Sequence, residues 1–319
     1  MAVLGIDLGA TKLAAAVFTE DGSMILDRSV LLDHRGGADV GQLIAGTIRD
    51  AVELQKGLGD EVRAIGVCVP GISYRARGTV WAPNISGWED YPLFEELQDA
   101  AGPVPLAIDS DRACSILGEV WQGSASGCSH AIFLAVGTGI GAGILIDGEV
   151  LRGAHDIAGA IGWMALERPF RNEFAGSGNF ESLASGSGIA HRARELLLHR
   201  DGYDGPLRAI LPDEMTSLDV FNAADDGDQI ATEVISRSVE LWGMAVANLV
   251  SLFNPEKIIF GGGVFGPAIR YLPEIYAEAK KWAQPISIQE FDLEPSSLGN
   301  HAAIFGAGLL AMKQLDTNA

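Results

Sequence analysis

AVLGIDLGATKLAAAVFTEDG, residues 2–22, consists of two apolar runs separated by the short segment 9–12 and closed by Asp21 and Gly22. This pattern predicts a β-hairpin followed by a second turn. Gly9 removes the Cβ that hinders positive φ, so backbone N–H groups in this turn can approach phosphate oxygens closely. Taken alone, the segment is also typical of an ordinary glycine-containing hairpin.

Residues 130–150, HAIFLAVGTGIGAGILIDGEV, repeat this design with a Gly-Thr-Gly turn at 137–139. Thr11 in the first turn and Thr138 in the second each add a hydroxyl donor. The repeat predicts two related half-structures, as an internal duplication would produce. The pair of turns favours phosphate binding over two ordinary hairpins.

A third glycine cluster lies in residues 254–283, NPEKIIFGGGVFGPAIRYLPEIYAEAKKWA. The pattern predicts a short strand, bare backbone at glycines 261–263, and then an amphipathic helix. A phosphate or a flat ring could lie against such glycines at the positive end of a helix. No Gly-Lys-Ser/Thr follows, and the dinucleotide-binding fingerprint is absent, so neither of those phosphate motifs applies.

IDSDRACSILGE, residues 108–119, marks a predicted passage from strand to helix and carries Asp109 and Asp111. Spacing alone favours a structural role, in which Ser110 or Asp109 caps the helix and Asp111 lies at its positive end. The other interpretation is that one aspartate is a general base.

The composition predicts a globular protein of two domains with a cleft, because 319 residues, 48% of them hydrophobic, can bury a large core. The 22 basic and 42 acidic side chains give a formal charge of −20, which excludes an extended basic surface for nucleic acid or for an anionic membrane. No targeting segment is visible, and no apolar stretch reaches the ~20 residues that cross a bilayer, so we expect a cytoplasmic protein.

Cys68, Cys114 and Cys128 lack paired spacing, which predicts inert reduced thiols.

Seven segments follow one another in the order LGIDLGATK, GVCVPG, PNISGW, SDRACSILGE, VGTGIGAGILIDG, GSGNFESLASG and IIFGGGV. In this order they resemble the ROK family of sugar kinases, within the superfamily that includes actin and hexokinase. The resemblance implies an α/β protein with two ribonuclease-H-like domains of related topology and an interdomain cleft, which is the actin-like ATPase fold. ROK repressors carry a helix-turn-helix segment before the first phosphate strand. Because that strand starts at Ala2 here, we expect no DNA-binding domain.

The predicted N-terminal domain comprises residues 1–109 and 301–319 and carries the first phosphate hairpin and part of the sugar site. The predicted C-terminal domain, 110–300, carries the catalytic aspartate, the second hairpin and the adenosine site. Periodicity predicts strands at about 2–8, 12–19, 24–33, 62–69 and 104–109 and helices at about 39–57 and 91–101. The resemblance implies a C-terminal helix that returns to the first domain, and residues 301–314 suit that role.

In ROK kinases, the strand-to-helix junction carries Asn-Asp, and the aspartate deprotonates the sugar hydroxyl that attacks the γ-phosphate. Alignment backward from the shared LGE at 117–119 places this aspartate at Asp111, with Ser110 in the asparagine's place. A base in this position needs little basicity, because the alcohol proton leaves late in phosphoryl transfer. The resemblance therefore favours catalysis by Asp111 over capping.

The resemblance also implies sites for ATP and Mg²⁺. Asp7 matches a carboxylate near the metal-bound phosphates, which acts through water because Mg²⁺ usually keeps several waters. Lys12 either offsets phosphate charge or is a solvated lysine at the end of a strand. The predicted cofactor-binding residues are Asp7, Gly9, Thr11, Lys12, Gly137, Thr138, Gly139, Gly261, Gly262 and Gly263.

On the sugar side the sequence departs from the family. ROK glucokinases have a Glu-x-x-His pair where this chain has Ala160 and Trp163, and FAGSGNFESLASG replaces a cysteine-rich zinc loop, so we expect no zinc site. Trp163 either packs against a substrate or belongs to the core. Glu181 matches a sugar-binding glutamate, the alternative being a plain helix N-terminal acid. The predicted substrate-binding residues are Gly71, Asn84, Ser110, Asp111, Trp163 and Glu181.

The sequence therefore predicts an ATP- and Mg²⁺-dependent kinase, expected to be a homodimer, that acts on a hydroxyl of a sugar or sugar-like substrate. The particular sugar, its hydroxyl and any donor other than ATP are left open. The alternative is a nucleotide- or sugar-binding regulator that has lost catalysis, which Ser110, Ala160 and Trp163 suggest.

Overall fold

The protein is described by a computed structural model that covers residues 2–317, with side chains up to Leu315. Residues 1, 318 and 319 of the predicted N-terminal domain lie outside the described residues. In chain order the strands are β1 (Ala2–Leu8), β2 (Lys12–Thr19), β3 (Met24–Leu31), β4 (Val62–Val69), β5 (Ile72–Tyr74), β6 (Thr79–Trp81), β7 (Leu106–Ser110), β8 (Ala131–Val136), β9 (Ile140–Ile146), β10 (Glu149–Val150), β11 (Lys257–Gly261) and β12 (Asp292–Pro295). The α-helices are α1 (Gly37–Gly57), α2 (Leu93–Ala101), α3 (Asp111–Gln122), α4 (Phe174–Ser177), α5 (Asn179–Ala184), α6 (Gly186–His199), α7 (Ser217–Asp225), α8 (Gln229–Phe253), α9 (Leu272–Trp282) and α10 (Ala302–Thr317).

The first sheet has five strands in the order β3-β2-β1-β4-β7. β1, β2 and β3 form an antiparallel meander, whereas β4 pairs parallel with β1 and β7 pairs parallel with β4. β1 lies in the middle of the sheet and is covered on both faces, which is why its sequence AVLGIDL is almost continuously apolar. This register places Asp7 beside Cys68, and Cys68 beside Asp109.

The second sheet has five strands in the order β10-β9-β8-β11-β12. β10 pairs antiparallel with β9, while β11 runs parallel to both β8 and β12. Its strand order is that of the first sheet, with an antiparallel hairpin on one side of the central strand and parallel strands on the other. The prediction of two related half-structures is confirmed.

The helices cover the sheets with their apolar faces. α10 packs on β1 and β4 and against α3. A Cβ on Gly118 of α3 would lie 2.0 Å from the carbonyl oxygen of Ala302, so these two helices approach more closely than a larger residue allows. The predicted C-terminal helix is therefore present and is held by close packing.

The described chain forms two compact units. The first comprises the chain up to Gly127, residues 143–158 and the chain from Ser297, and the second comprises 128–142 and 159–296. The division at 142/143 falls inside β9, and α3 groups with the first unit. The boundaries drawn from the sequence, 1–109 with 301–319 and 110–300, stay a prediction.

Among the helices described between residues 2 and 317, none has the length and apolar character needed to span a bilayer.

Candidate active site

Helix α3 begins directly at the end of β7, and its first residue is Asp111. Ser110 is extended at φ −70° and ψ 156°, and its hydroxyl oxygen accepts the N–H of Ala113 at 3.3 Å. This is the N-cap arrangement that satisfies a free donor of the first turn. Ser110 therefore caps the helix, and the carboxylate of Asp111 is left at the positive end of α3 without being needed as the cap.

The Asp111 carboxylate combines access with an unusual proton affinity. About half of its side-chain surface, 51%, is exposed. Burial by the surrounding protein atoms nevertheless raises the pKa of Asp111 to about 6. The negative charge of Asp7 raises this pKa further, whereas the positive charge of Arg112 lowers it. The Arg112 guanidinium lies 4.0 Å from Asp111 and donates to the carbonyl oxygen of Gly71 at 3.2 Å. A carboxylate with these properties can accept a proton near neutral pH.

Asp109 does not share the exposure of Asp111. It is 4% exposed and forms an ion pair with Arg152, whose Nε donates to Asp109 Oδ2 at 2.9 Å and whose Nη2 contacts the same oxygen. The other carboxylate oxygen accepts the N–H of Ser110 at 2.8 Å. The buried pair therefore fixes the last strand residues before the junction, and Asp109 has a structural role.

Gly71 occupies the turn after β4 with φ +87°. A Cβ there would lie 2.2 Å from the carbonyl oxygen of Trp81, so backbone conformation and space both require glycine. Asn84, in the following segment, is exposed, whereas Trp88 is buried and donates from Nε1 to Gly37 O at 3.0 Å. Trp88 is therefore a core residue.

The requirement for glycine at position 71 gives a stability prediction. We expect Gly71→Ala to lower the free energy of unfolding by at least about 1–3 kcal/mol, the usual cost of such a strained backbone. Gly46→Ala is the matched control, because Gly46 lies inside α1 with nothing within 4 Å of an added Cβ. It should raise stability by about 0.5–1 kcal/mol. Chemical denaturation measures both changes. Equal changes in the free energy of unfolding for the two variants would contradict the requirement for glycine at position 71.

The first predicted phosphate turn is an exposed hairpin turn in which the N–H of Gly9 donates to Lys12 O at 2.9 Å. Asp7 lies next to this turn at the end of β1. Burial raises the pKa of Asp7, while a hydrogen bond from Cys68 and the charge of Lys12 lower it. The Lys12 ammonium is thus close enough to act on Asp7 electrostatically. The structure brings together Asp7, Lys12 and Asp111 within the first unit.

The second unit contains a cavity of about 620 Å³. Its lining includes Gly137 and Thr138 of the second turn and Gly263 of the third glycine cluster, which are far apart in the sequence. The N–H of Gly186, the first residue of α6, donates to Gly137 O at 2.8 Å, which places a helix N-terminus beside the turn. The positive end of the helix dipole at this terminus suits an anion.

One expectation about the third cluster is wrong. No α-helix follows directly, because 3-10 turns at Gly263–Phe265 and Pro267–Tyr271 intervene before α9 begins at Leu272. The three glycines also differ in role. A Cβ on Gly261 would meet the Phe133 ring at 2.3 Å, Gly262 turns the chain at φ +89°, and Gly263 alone faces the cavity.

Glu181 lies in α5, and its Oε2 accepts the N–H of Ile140 at 2.6 Å. Burial raises the pKa of Glu181, and this hydrogen bond opposes the rise. Gly139 faces the carboxylate, since a Cβ there would lie 2.6 Å from it. Trp163 ends a 3-10 turn nearby and is 57% exposed, so the alternative that it is a core residue is wrong.

Several residues around the cavity were missed by the sequence analysis. They come from the first three turns of α6, from residues 215–217 at the start of α7, and from Val264 beside the third glycine cluster. A run of small residues, ASGSG at 184–188, was the available signal. The additional lining residues are Gly186, Ser187, Ala190, Arg194, Met215, Thr216, Ser217 and Val264.

Comparison with known proteins decides the family. The chain matches the ROK family over residues 3–314. This chain belongs to the ROK family. It is 30% identical to the glucokinase of Halalkalibacterium halodurans over 318 residues, which cover 98% of this ROK chain and 95% of that enzyme.

Other ROK relatives point in two functional directions. The xylose repressor of Caldicellulosiruptor bescii is 30% identical over 319 residues, covering 95% of this chain and 76% of the repressor. The crystal structure of a ROK family glucokinase from Streptomyces griseus in complex with glucose and AMPPNP superposes with a TM-score of 0.74 at 26% identity, covering 98% of this chain and 100% of that one. The predicted actin-like ATPase fold is confirmed.

Proposed function

We propose that this ROK protein transfers the γ-phosphoryl group of ATP to a hydroxyl of a sugar or sugar-like substrate, with Asp111 as the general base. The observation that carries the proposal is the Asp111 carboxylate, which is half exposed at the start of α3 while Ser110 performs the capping. The similarity to a glucokinase over 98% of the chain supports the same reaction class.

The chemistry is a single displacement. The substrate hydroxyl gives its proton to Asp111, its oxygen forms a bond to the γ-phosphorus, and the bond to the bridging oxygen of ADP breaks. Catalysis of this kind depends on positioning and electrostatic stabilisation more than on a strong base. The cavity at Gly137, Thr138 and Gly263 is the site we assign to ATP, with the positive end of the α6 dipole beside its phosphates.

The residues near the first turn fit Mg²⁺. Asp7 is a half-buried carboxylate whose charge acts on Asp111, and a cation that lies beside both reduces the repulsion between them. Mg²⁺ prefers oxygen ligands and is commonly held by one or two carboxylates together with substrate phosphates. Asp7 would hold the ion, through water, and the ion neutralises phosphate charge when bound. Lys12 adds a second positive charge at the same turn.

The substrate is expected to differ from an unmodified glucose. Ala160 and Trp163 replace the acid and the histidine of ROK glucokinases, so two partners for sugar hydroxyls are absent, and each unpaired buried hydroxyl costs about 1–3 kcal/mol. The exposed face of Trp163 suits an apolar sugar face, a deoxy position or an aglycone. Glu181 supplies an acceptor for a hydroxyl, and Gly71 and Asn84 complete the proposed substrate contacts.

The pKa of Asp111 predicts the pH dependence of the reaction. Only the ionised carboxylate accepts the alcohol proton, so kcat/KM should fall as the pH decreases through about 6. Arg112 lowers this pKa, so Arg112→Gln should move the acidic limb to higher pH, and Arg112→Lys should restore it in part. Arg63→Gln, at an exposed position of β4, is the control and should leave the limb in place. If the acidic limb of the pH profile stayed at the same pH in Arg112→Gln, ionisation of Asp111 could not be what controls kcat/KM.

One observation favours a second candidate function. The sequence identity to a xylose repressor, 30%, equals that to the glucokinase, although the chain spans 76% of the repressor and 95% of the glucokinase. The second candidate is therefore a sugar-binding regulator without turnover.

An ADP-release assay over hexoses, amino sugars, deoxysugars, β-glucosides and cyclitols separates the two functions. The kinase proposal predicts sugar-dependent ADP release with at least one member of the panel. Sugar binding by calorimetry without ADP release from any member would favour the regulator. Asp111→Asn serves as the inactive reference.

A further inference from the structure

Three potential metal ligands converge in the second unit, and none of them is among the residues assigned to ATP or to the sugar. Glu173 immediately precedes α4, and His191 and Glu195 lie one turn apart on α6. Within residues 2–317, one ligand atom from each of the three lies within 4.8 Å of the others. The side chains are 34%, 49% and 29% exposed, respectively, so an ion can reach them from solvent.

The distances between these donor atoms suit a shared cation better than direct hydrogen bonds. His191 Nε2 lies 3.9 Å from Glu173 Oε2 and 3.8 Å from Glu195 Oε1. Both separations exceed a normal hydrogen bond. Two bonds of about 2.0–2.2 Å at a tetrahedral angle place their donor atoms roughly 3.4 Å apart, so the two observed separations have to close only slightly around one ion.

The second oxygen of each carboxylate is already engaged. Glu173 Oε1 pairs with Arg171 Nη2 at 2.8 Å, and Glu195 Oε2 accepts from Arg192 Nη1 at 3.1 Å. The arginines therefore orient the two carboxylates and leave the inner oxygens directed toward the imidazole. Outer partners of this kind hold ligands in place around metals and tune their affinity.

We propose that Glu173, His191 and Glu195 bind one divalent transition-metal ion, with Zn²⁺ as the best fit. Zinc accepts imidazole nitrogen and carboxylate oxygen together, whereas Mg²⁺ and Ca²⁺ prefer oxygen ligands alone. Three protein ligands leave a fourth position for water. The proposal concerns a different set of residues from the cysteine-rich loop, which this chain lacks.

The ion would cross-link two segments that flank α5. Glu173 precedes α5 in the chain, and His191 and Glu195 follow it, so the ion would restrain the helix that carries Glu181. Its expected role is structural, with an indirect effect on the orientation of Glu181.

The test uses full-length protein without a histidine tag, stripped with a chelator and titrated calorimetrically with Zn²⁺, with Mg²⁺ as the comparison. We expect one Zn²⁺ per chain and a melting temperature that rises with the zinc concentration, as binding to the folded state requires. Mg²⁺ at the same concentration, without ATP, should not displace the bound zinc. Zinc binding that is absent or clearly below one equivalent would overturn the proposal.

Variants assign the ligands. His191→Ala and Glu195→Gln should each weaken zinc affinity by at least about tenfold, since even outer partners of a metal site have effects of that size. His199→Ala, an exposed imidazole at the end of the same helix, should bind zinc like the parent. Metal-free circular dichroism and melting curves confirm that each variant folds. Zinc affinity that is unchanged in both His191→Ala and Glu195→Gln would refute the site. A loss of zinc affinity in His199→Ala as large as in those two variants would also refute it.

Discussion

Asp111→Asn should lower kcat for sugar phosphorylation by about 10²–10⁴-fold, the range typical for loss of a general base. The amide is nearly isosteric with the carboxylate but cannot take the hydroxyl proton. Because Ser110 caps α3, the substitution leaves the helix start intact. Binding of ATP and sugar should therefore persist, and steady-state kinetics combined with calorimetry can show loss of turnover with retained affinity.

Asp39→Asn is the matched control for this result. Asp39 lies in the first turn of α1, so its replacement removes the same charge from a helix N-terminus at an exposed site. Asp39→Asn should lose only a few tenths of a kcal/mol of helix-dipole stabilisation, whereas Asp111→Asn should not lower stability, because the raised pKa of Asp111 means that its ionised form is disfavoured in the folded protein. Activity should fall in Asp111→Asn alone. Comparable activity in the two variants would mean that Asp111 only stabilises the helix.

Arg152→Met should lower the free energy of unfolding by about 3–5 kcal/mol, because it leaves the Asp109 carboxylate buried without its partner. Asp109 is 4% exposed, so water cannot replace the guanidinium. The double variant Asp109→Asn with Arg152→Met removes the unpaired charge and should recover most of the loss. Chemical denaturation of the three proteins measures the effect.

Arg270→Met provides the control for an exposed ion pair. Arg270 pairs with Asp225 on the surface, where both side chains are more than 40% exposed. Water and salt screen such pairs, so this variant should change stability by no more than about 1 kcal/mol. If Arg152→Met cost no more than Arg270→Met, the buried pair could not be what fixes the strand before Asp111.

Local sequence patterns were sufficient to predict the two glycine turns, the related sheets and the junction at Asp111. In each case the signal comes from neighbours in the chain. Apolar runs form the strands, glycine allows the turn, and a serine before an aspartate starts a helix. The ROK resemblance then supplied the roles that spacing alone left open.

Contacts between distant segments could not be predicted in this way. Arg152 and Asp109 are 43 residues apart, and nothing in either segment indicates the other. The cavity lining at 215–217 depends on how α6 and α7 pack. After the third glycine cluster, Gly266 and Pro267 interrupt helical hydrogen bonding, and the amphipathic pattern could not locate the start of α9.

The most direct test of the central claim is phosphorus NMR of the reaction products with ATP, Mg²⁺ and the sugar that gives the fastest ADP release. The account predicts one new phosphomonoester resonance that grows in step with ADP and is lost in Asp111→Asn. Formation of inorganic phosphate alone, or a saturated sugar complex with no phosphomonoester at any pH above 6, would contradict it.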